Sequence, residues 1–251
     1  MLTKQDLLTQ NKIPEISDIT LKLYVEFFEE NLHGKIYEYK LNNGWNIKLK
    51  LDKSRVHHLL GIQHIDNTID KNTFIDDIKD GKVTISMLKD NNGKKRRFND
   101  MKDRILMFSC IYYLLEHCFC FYVPTGIVPN SRVPADFLLF NLVSEKGLQL
   151  AVKKNKDNEY YKTMSLMPSR AANNDKYIKG LDEFIVIQIN IFDKDNKLVK
   201  EIINNKLQHR ESAVDEIKPK GLEGQASKVI YDGIINKEIV DEFEKEIIKS
   251  T

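Results

Sequence analysis

The 251-residue chain is poor in features that mark several large protein classes. It has three cysteines, Cys110, Cys118 and Cys120, an odd and clustered set that makes a poor disulfide framework and suggests a reducing cytosol. No apolar run approaches the roughly 20 residues that a membrane helix needs. The longest candidate, Ile105 to Val123, is interrupted by Glu116 and His117. The opening Met1-Leu2-Thr3-Lys4-Gln5-Asp6 has no apolar core of a signal peptide. The expected setting is therefore the cytoplasm, with no membrane contact.

An excess of one charge is also missing. Lys and Arg number 39 against 37 Asp and Glu, for a net charge of +2. Such a balance permits nucleic-acid binding without arguing for it, because footprints are set by local patches. There is no phosphate-cradling Gly-rich loop, no G-x-S-x-G elbow and no H-E-x-x-H pair. Asp76-Asp77 with Lys79 and Asp80 reads as a solvated face rather than a two-metal site.

The chain does have a core's worth of apolar residues, 41% of the total, enough for one large domain or a domain with a small appendage. Leu21, Tyr24, Val25, Phe28 and Leu32 recur at helical spacing, and Gly34 stops the run. Runs 35–41 and 45–51 read as strands around Asn42-Asn43-Gly44, a hairpin turn signal. A helix follows from Ser54 to about Ile65, with Asp52 or Ser54 as N-cap. A short helix is expected over Phe74 to Ile78, a polar basic loop over Asn91 to Asn99, and a long buried helix over Asp100 to Phe121. Strands return at 135–142, 147–152, 160–166 and 183–192, and 197–203 is a return strand or a helix start. Residues 211–226 read as a linker, and Ile235, Ile239, Phe243 and Ile247 mark a terminal amphipathic helix. The resulting division is 1–34, a helical segment; 35–210, an α+β domain; and 211–251, linker and helix. The fold class is α+β, helices followed by a curved, mainly antiparallel sheet and a C-terminal amphipathic helix.

Three groups of residues could carry chemistry. On a helical wheel His57, Gly61 and His64 share a narrow arc, while His58 borders the apolar arc. Glycine costs a helix about 1 kcal/mol against alanine, and it permits close approach. Histidines beside such a gap suit proton transfer at a phosphate. The plainer reading is a boundary pair capped by backbone carbonyls. A helical zinc pair is disfavoured, since His57 and His64 lie two turns apart and no carboxylate is built into the motif. Second, Lys94, Lys95, Arg96 and Arg97, followed by Phe98, could bind phosphates and stack a base, or simply be a solvated loop. Third, Tyr161, Thr163 and Ser165 should share one sheet face, with Lys162 on the other. Cys110, His117, Cys118 and Cys120 do not read as a zinc site, because the cysteines are embedded among Phe108, Ile111, Leu114, Leu115 and Phe119. No metal or other cofactor is expected.

The order of these elements resembles a known family. Strands precede His57-His58-Leu59-Leu60-Gly61, a helix surrounds Arg104, and strands follow at Ala135-Asp136-Phe137-Leu138-Leu139 and up to Ser165. This is similar to the phage-encoded barnase–EndoU–colicin–RelE-like nucleases, in particular the fourth such family, over about Lys35 to Arg170. The resemblance implies metal-independent RNA cleavage on an α+β fold. It favours His58, directly before Leu-Leu-Gly, whereas the helical wheel favours His57. Ser165 would match a family hydroxyl. In this reading His57, His58 or His64 transfers protons. Arg104, Lys162 or the 94–97 run stabilises the phosphorane, and Tyr161 or Ser165 holds the phosphate. RNA is the expected partner, with a protein partner at the C-terminal helix a further possibility. The alternative is an inhibitor or anti-defence binding protein that keeps a nuclease-like fold without turnover.

Overall fold

The computed structural model describes residues 1–90 and 95–204, apart from the side chains at 90, 95 and 96. Lys94, the linker and the expected C-terminal helix lie outside the described residues. Thr3 caps a short helix α1 (Lys4–Leu7), and the Thr20 hydroxyl accepts the Leu23 N–H at the start of α2 (Leu21–Asn31). Leu21, Tyr24, Val25, Phe27 and Phe28 bury one stripe of α2. That stripe and Leu7 pack into the same core as the sheet.

The hairpin β1 (Ile36–Leu41) and β2 (Asn46–Lys50) turns at Gly44, whose φ of +82° is the left-handed geometry that favours glycine. Short helices α3 (Val56–Leu60), α4 (Ile62–Ile65), α5 (Phe74–Lys79) and α6 (Ile85–Asp90) follow. Two expectations change in the next stretch. Lys95, Arg96 and Arg97 of the basic run form the first turn of α7 (Lys95–Met107) rather than a loop. The long helix breaks into α7, a 3-10 turn (Phe108–Cys110), α8 (Ile111–His117) and a strand, β3 (Phe119–Tyr122). The aromatic run Phe119-Cys120-Phe121-Tyr122 suits a pleated surface better than a helix.

The remaining strands are β4 (Phe137–Val143), β5 (Lys146–Lys154), β6 (Tyr161–Pro168), β7 (Asp182–Phe184), β8 (Val186–Phe192) and β9 (Leu198–Ile203). They form one nine-stranded sheet in the order β7-β3-β4-β5-β6-β2-β1-β8-β9. Every pairing is antiparallel except β2 with β6. Only Ile185 separates β7, at one end of this order, from β8, near the other. The sheet therefore curls into a half-barrel that brings β7 close to β8.

Its concave face carries Tyr37, Tyr39, Ile189, Leu139, Leu150, Val152 and Leu166 against the helices in the main core. The buried Tyr39 hydroxyl donates to the Leu115 carbonyl of α8 at 3.1 Å. A smaller core on the opposite face gathers Phe121, Leu138, Phe140, Ala151 and Met167 beneath Val128 and Ile178.

One ion pair ties α8 to the last strand. Lys200 Nζ lies 2.8 and 2.7 Å from the two carboxylate oxygens of Glu116, which is only 8% exposed. Replacing Lys200 with Met leaves that buried carboxylate short of a donor, so urea unfolding should show a loss of about 1–3 kcal/mol. Unchanged stability would mean the pair contributes nothing net.

Candidate active site

The site begins with a cap. Asp52 accepts the Ser54 N–H at 2.8 Å and starts the 3-10 turn Lys53–Arg55, which runs into α3. The expected continuous helix to Ile65 does not form. Gly61 adopts φ +74° and ψ +22°, ends α3 as a left-handed cap, and re-aims the chain into α4. His57 and His64 therefore do not share a single helix face.

The space at Gly61 is used by another residue. A Cβ built there would lie 2.9 Å from Arg104 Cδ, 3.0 Å from its Nη1 and 3.1 Å from Met101 Sδ. The glycine lets the Arg104 side chain of α7 cross the α3–α4 junction. Arg104 Nε is buried with no hydrogen-bond partner, and burial lowers the guanidinium pKa, with Tyr177 pulling the other way. Arg55 comes in from the other end of α3, its Nε donating to the Thr163 carbonyl of β6 at 3.0 Å. Burial lowers its pKa too, opposed by Asp52.

Two histidines lie among these cations. The half-buried His58 has its pKa lowered by burial and then by Arg55, Lys71 and His64. His64, at the surface, is lowered by the surrounding protein and then by Arg104. Arg55, His58, His64, Lys71 and Arg104 thus form one electrostatic neighbourhood. Among the described residues, none of its three permanent cations forms an ion pair with a carboxylate. His57 touches His58 edge-on, with ring centroids 5.5 Å apart, but is itself buried. It is 4% exposed, packs edge-on against Phe74 with centroids 4.9 Å apart, and neither ring nitrogen has a partner of ordinary geometry. Burial is the main cause of its lowered pKa, His58 adding to it and the Ile69 backbone opposing it.

The expected strand face is split. Ser165 pairs with Ala151 but Thr163 pairs with Val152, so Met164 is the extra residue of a β-bulge. Thr163 shares the helix-side face of Val152, beneath Arg55, and its buried Oγ1 has no partner. Ser165 shares Ala151's face, over the smaller core, and does not join the cations. Tyr161 remains on the helix side at the start of β6. There, burial and then Asp136 raise its pKa. Lys162 is exposed and pairs with Lys153, pointing away from the cluster.

Phe98 does not offer a stacking surface. It is 2% exposed in the core, with Lys89 Nζ 5.9 Å from its ring centre, because α7 turns this position inward. Arg97 is exposed. Lys71 and Arg55 are the candidate site residues that spacing along the chain did not identify. Arg55 and Thr163 come together only when α3 packs on β6, and no local pattern encodes that contact.

Among the described residues, no group of three or more His, Cys, Asp or Glu side chains could hold a metal ion. A separate cleft lined by Asp66, Asp70 and Asp77 has the wrong sign for an anion. Unpaired, partly desolvated guanidinium groups beside neutral imidazoles favour an anion, because a bound phosphate would supply the missing counter-charge. The chain belongs to the family described as phage-Barnase-EndoU-ColicinE5/D-RelE like nuclease4, whose profile matches residues 20–213. The match extends well beyond 35–170 in both directions and takes in α2 and the final strands. Nothing matches the chain among curated proteins or among solved structures.

Two outcomes follow from this geometry. Gly61→Ala adds a Cβ at positive φ and pushes on Arg104, so chemical denaturation should show a loss of about 1–3 kcal/mol. A variant as stable as the parent would show that Arg104 can move aside freely. The second outcome concerns pH. The folded protein holds His57, His58 and His64 below the ordinary histidine value of 6.5. The unfolded chain therefore binds more protons as pH falls below about 6.5, and folding stability is lost through that window. Melting temperature should decline from pH 7.5 to 5.5, and inorganic phosphate should reduce the decline. A flat profile would mean these histidines are not held neutral.

Proposed function

We propose that the protein, a member of a nuclease family, is a metal-independent endoribonuclease. It would cleave RNA by acid–base attack of a ribose 2′-hydroxyl on the adjacent phosphate. The observation that carries this is the Arg55–His58–His64–Lys71–Arg104 cluster, cations without carboxylate partners around two imidazoles. His58 has the stronger cationic surroundings, with Arg55, Lys71 and His64 all disfavouring its protonation. A base that is neutral near pH 7 is ready to take the 2′-hydroxyl proton. His64, nearer solvent, would deliver a proton to the leaving 5′-oxygen and reload from water.

Arg104 and Arg55 face the charge that grows on the phosphorane, and their partial burial strengthens that interaction. The unpartnered Thr163 hydroxyl lies on the strand beneath Arg55, where it would donate to a phosphate oxygen. Tyr161 and Ser165 are not needed for these steps. Arg97, with Lys94, Lys95 and Arg96 nearby in sequence, would add sequence-independent contacts to the RNA backbone.

The test is cleavage of a labelled RNA oligonucleotide in excess EDTA, beside one with a 2′-deoxy sugar at the cut site. The RNA should be cut to a 2′,3′-cyclic phosphate, and the deoxy oligonucleotide should survive. His58→Gln should lower the rate by about two to four orders of magnitude. His57→Gln should instead lower the melting temperature with little change in rate. Arg104→Met should lower the rate about 10²–10³-fold without loss of stability, since it removes an unpaired buried charge. Cleavage that stops in EDTA and returns with magnesium would overturn the proposed chemistry. Tight RNA binding with no cleavage would favour a binding protein on a nuclease fold.

A further inference from the structure

The mouth of the curled sheet holds a second feature that the cleavage chemistry does not use. Trp45, the only tryptophan of the chain, sits just before β2 and is 44% exposed. Its inner side is packed on aromatic rings: Tyr122 at 5.3 Å, Phe137 at 5.8 Å and Phe184 at 5.4 Å between centroids. The remainder of the indole lines an open groove with Tyr122, Tyr161 and Asp136, of about 560 Å³. That volume falls within the roughly 300–1,000 Å³ of small-ligand sites.

The polar equipment of this groove is specific. One carboxylate oxygen of Asp136, Oδ2, accepts the Lys154 backbone N–H at 2.8 Å, which fixes the side chain. Its Oδ1 has no hydrogen-bond partner among the described residues. The groove therefore offers aromatic surface for a flat ring and one acceptor for an N–H donor at the ring's edge. One of its lining residues, Tyr161, also lies near the cation cluster along β6. Tyr161 lies two residues before Thr163 on the same face of β6, about 7 Å along the strand. Thr163 in turn accepts from Arg55.

We propose that this groove binds one unpaired nucleobase carrying an amino group, stacked on Trp45 with the amino group donating to Asp136. The ring N–H of uracil or hypoxanthine is a competing donor, but it sits beside a carbonyl that the carboxylate repels, whereas an exocyclic amine does not, so cytosine is favoured over uracil and guanine over hypoxanthine. Stacking tolerates any base, and the acceptor makes the selection. The inference deepens the ribonuclease reading and rests on it for the adjoining phosphate. The groove then selects the base next to the bond that is cut.

The sole tryptophan gives a direct readout. Uncharged nucleosides bypass the cation cluster, so the full-length protein is titrated with cytidine, uridine, guanosine and inosine while Trp45 emission is followed. Cytidine and guanosine should quench saturably, and uridine and inosine should bind about tenfold more weakly. Asp136→Asn should erase that difference. The asparagine oxygen can still accept from Lys154, and a thermal melt of the same sample checks the fold. Arg55→Met and Arg104→Met should leave nucleoside quenching unchanged. Equilibrium dialysis with radiolabelled cytidine covers binding that does not alter emission. Equal affinity for cytidine and uridine, or no binding by either method, overturns the inference. So does displacement of cytidine by tetramethylammonium at lower concentration, which would mark the groove as an aromatic cage for cations. RNA cleavage without nucleoside binding sinks the groove alone. Nucleoside selection without RNA cleavage supports the groove and sinks the proposed ribonuclease activity.

Discussion

One short connection constrains the rest of the molecule. β7 lies at one end of the strand order and β8 near the other, yet a single residue, Ile185, joins them. A flat sheet of this order would separate those strands by the width of six intervening strands, at nearly 5 Å per step. One residue spans less than 4 Å. The sheet must therefore curl, and its concave side must be filled. The filling is helical: Tyr39 bonds to α8, and the apolar residues of β1, β4, β5 and β8 meet α2 and the 108–115 stretch in one core. The curl also brings the β1–β2 turn against β3, β4 and β7, which is how Trp45 comes to rest on Tyr122, Phe137 and Phe184.

The same packing explains how the protein keeps charges where they are costly. Arg55 and Arg104 are drawn partly out of water with no carboxylate in ion-pair contact, although Asp52 offsets part of the cost at Arg55. A hydrophobic side chain at either position would satisfy the fold at least as well. Their positions are nonetheless built in detail: Arg55 by its bond to the Thr163 carbonyl, and Arg104 by the absence of a Cβ at Gly61. Neutral histidines go with this arrangement, since nearby guanidinium groups and burial both disfavour imidazolium. An anion arriving at such a site replaces water with fixed donors and reverses the bias on the histidines.

The elements with a strong local signature were legible in the sequence. The hairpin at Asn42-Asn43-Gly44, helix α2 and the meander β4–β6 follow from turn residues and periodicity, and their bounds fall within a few residues of those expected. The α+β class followed from the same signals, and the family from the resemblance in element order around His57-His58-Leu59-Leu60-Gly61. The site was only half legible. His58 and Arg104 stood out as residues, but not their relation, because Gly61 was assigned to a continuous helix. Periodicity cannot distinguish a glycine inside a helix from one that ends it in a left-handed turn. Phe98 showed the opposite error, since an aromatic beside a basic run looks like a stacking platform until the helix turns it into the core. At Cys118 to Tyr122 an apolar run suits either helix or strand, and only pairing with β4 decides between them.

The bulge at Met164 has the largest consequence for its size. In a regular strand Tyr161, Thr163 and Ser165 would all face the helices, and Ser165 would lie beside the cations. One inserted residue sends Ser165 to the opposite face and ends the polar stretch of β6 at Thr163. Beyond the bulge, the helix-side position belongs to Leu166 and seals the core. Before it, the helix-side positions are Tyr161 at the mouth of the groove and Thr163 under Arg55. A bulge also bends and twists its strand locally, which suits a strand that pairs antiparallel on one side and parallel on the other. The irregularity that helps β6 change partners is thus the one that divides its polar residues between the two faces. The aromatic groove and the cation cluster are adjacent because both are built on the few residues that precede it.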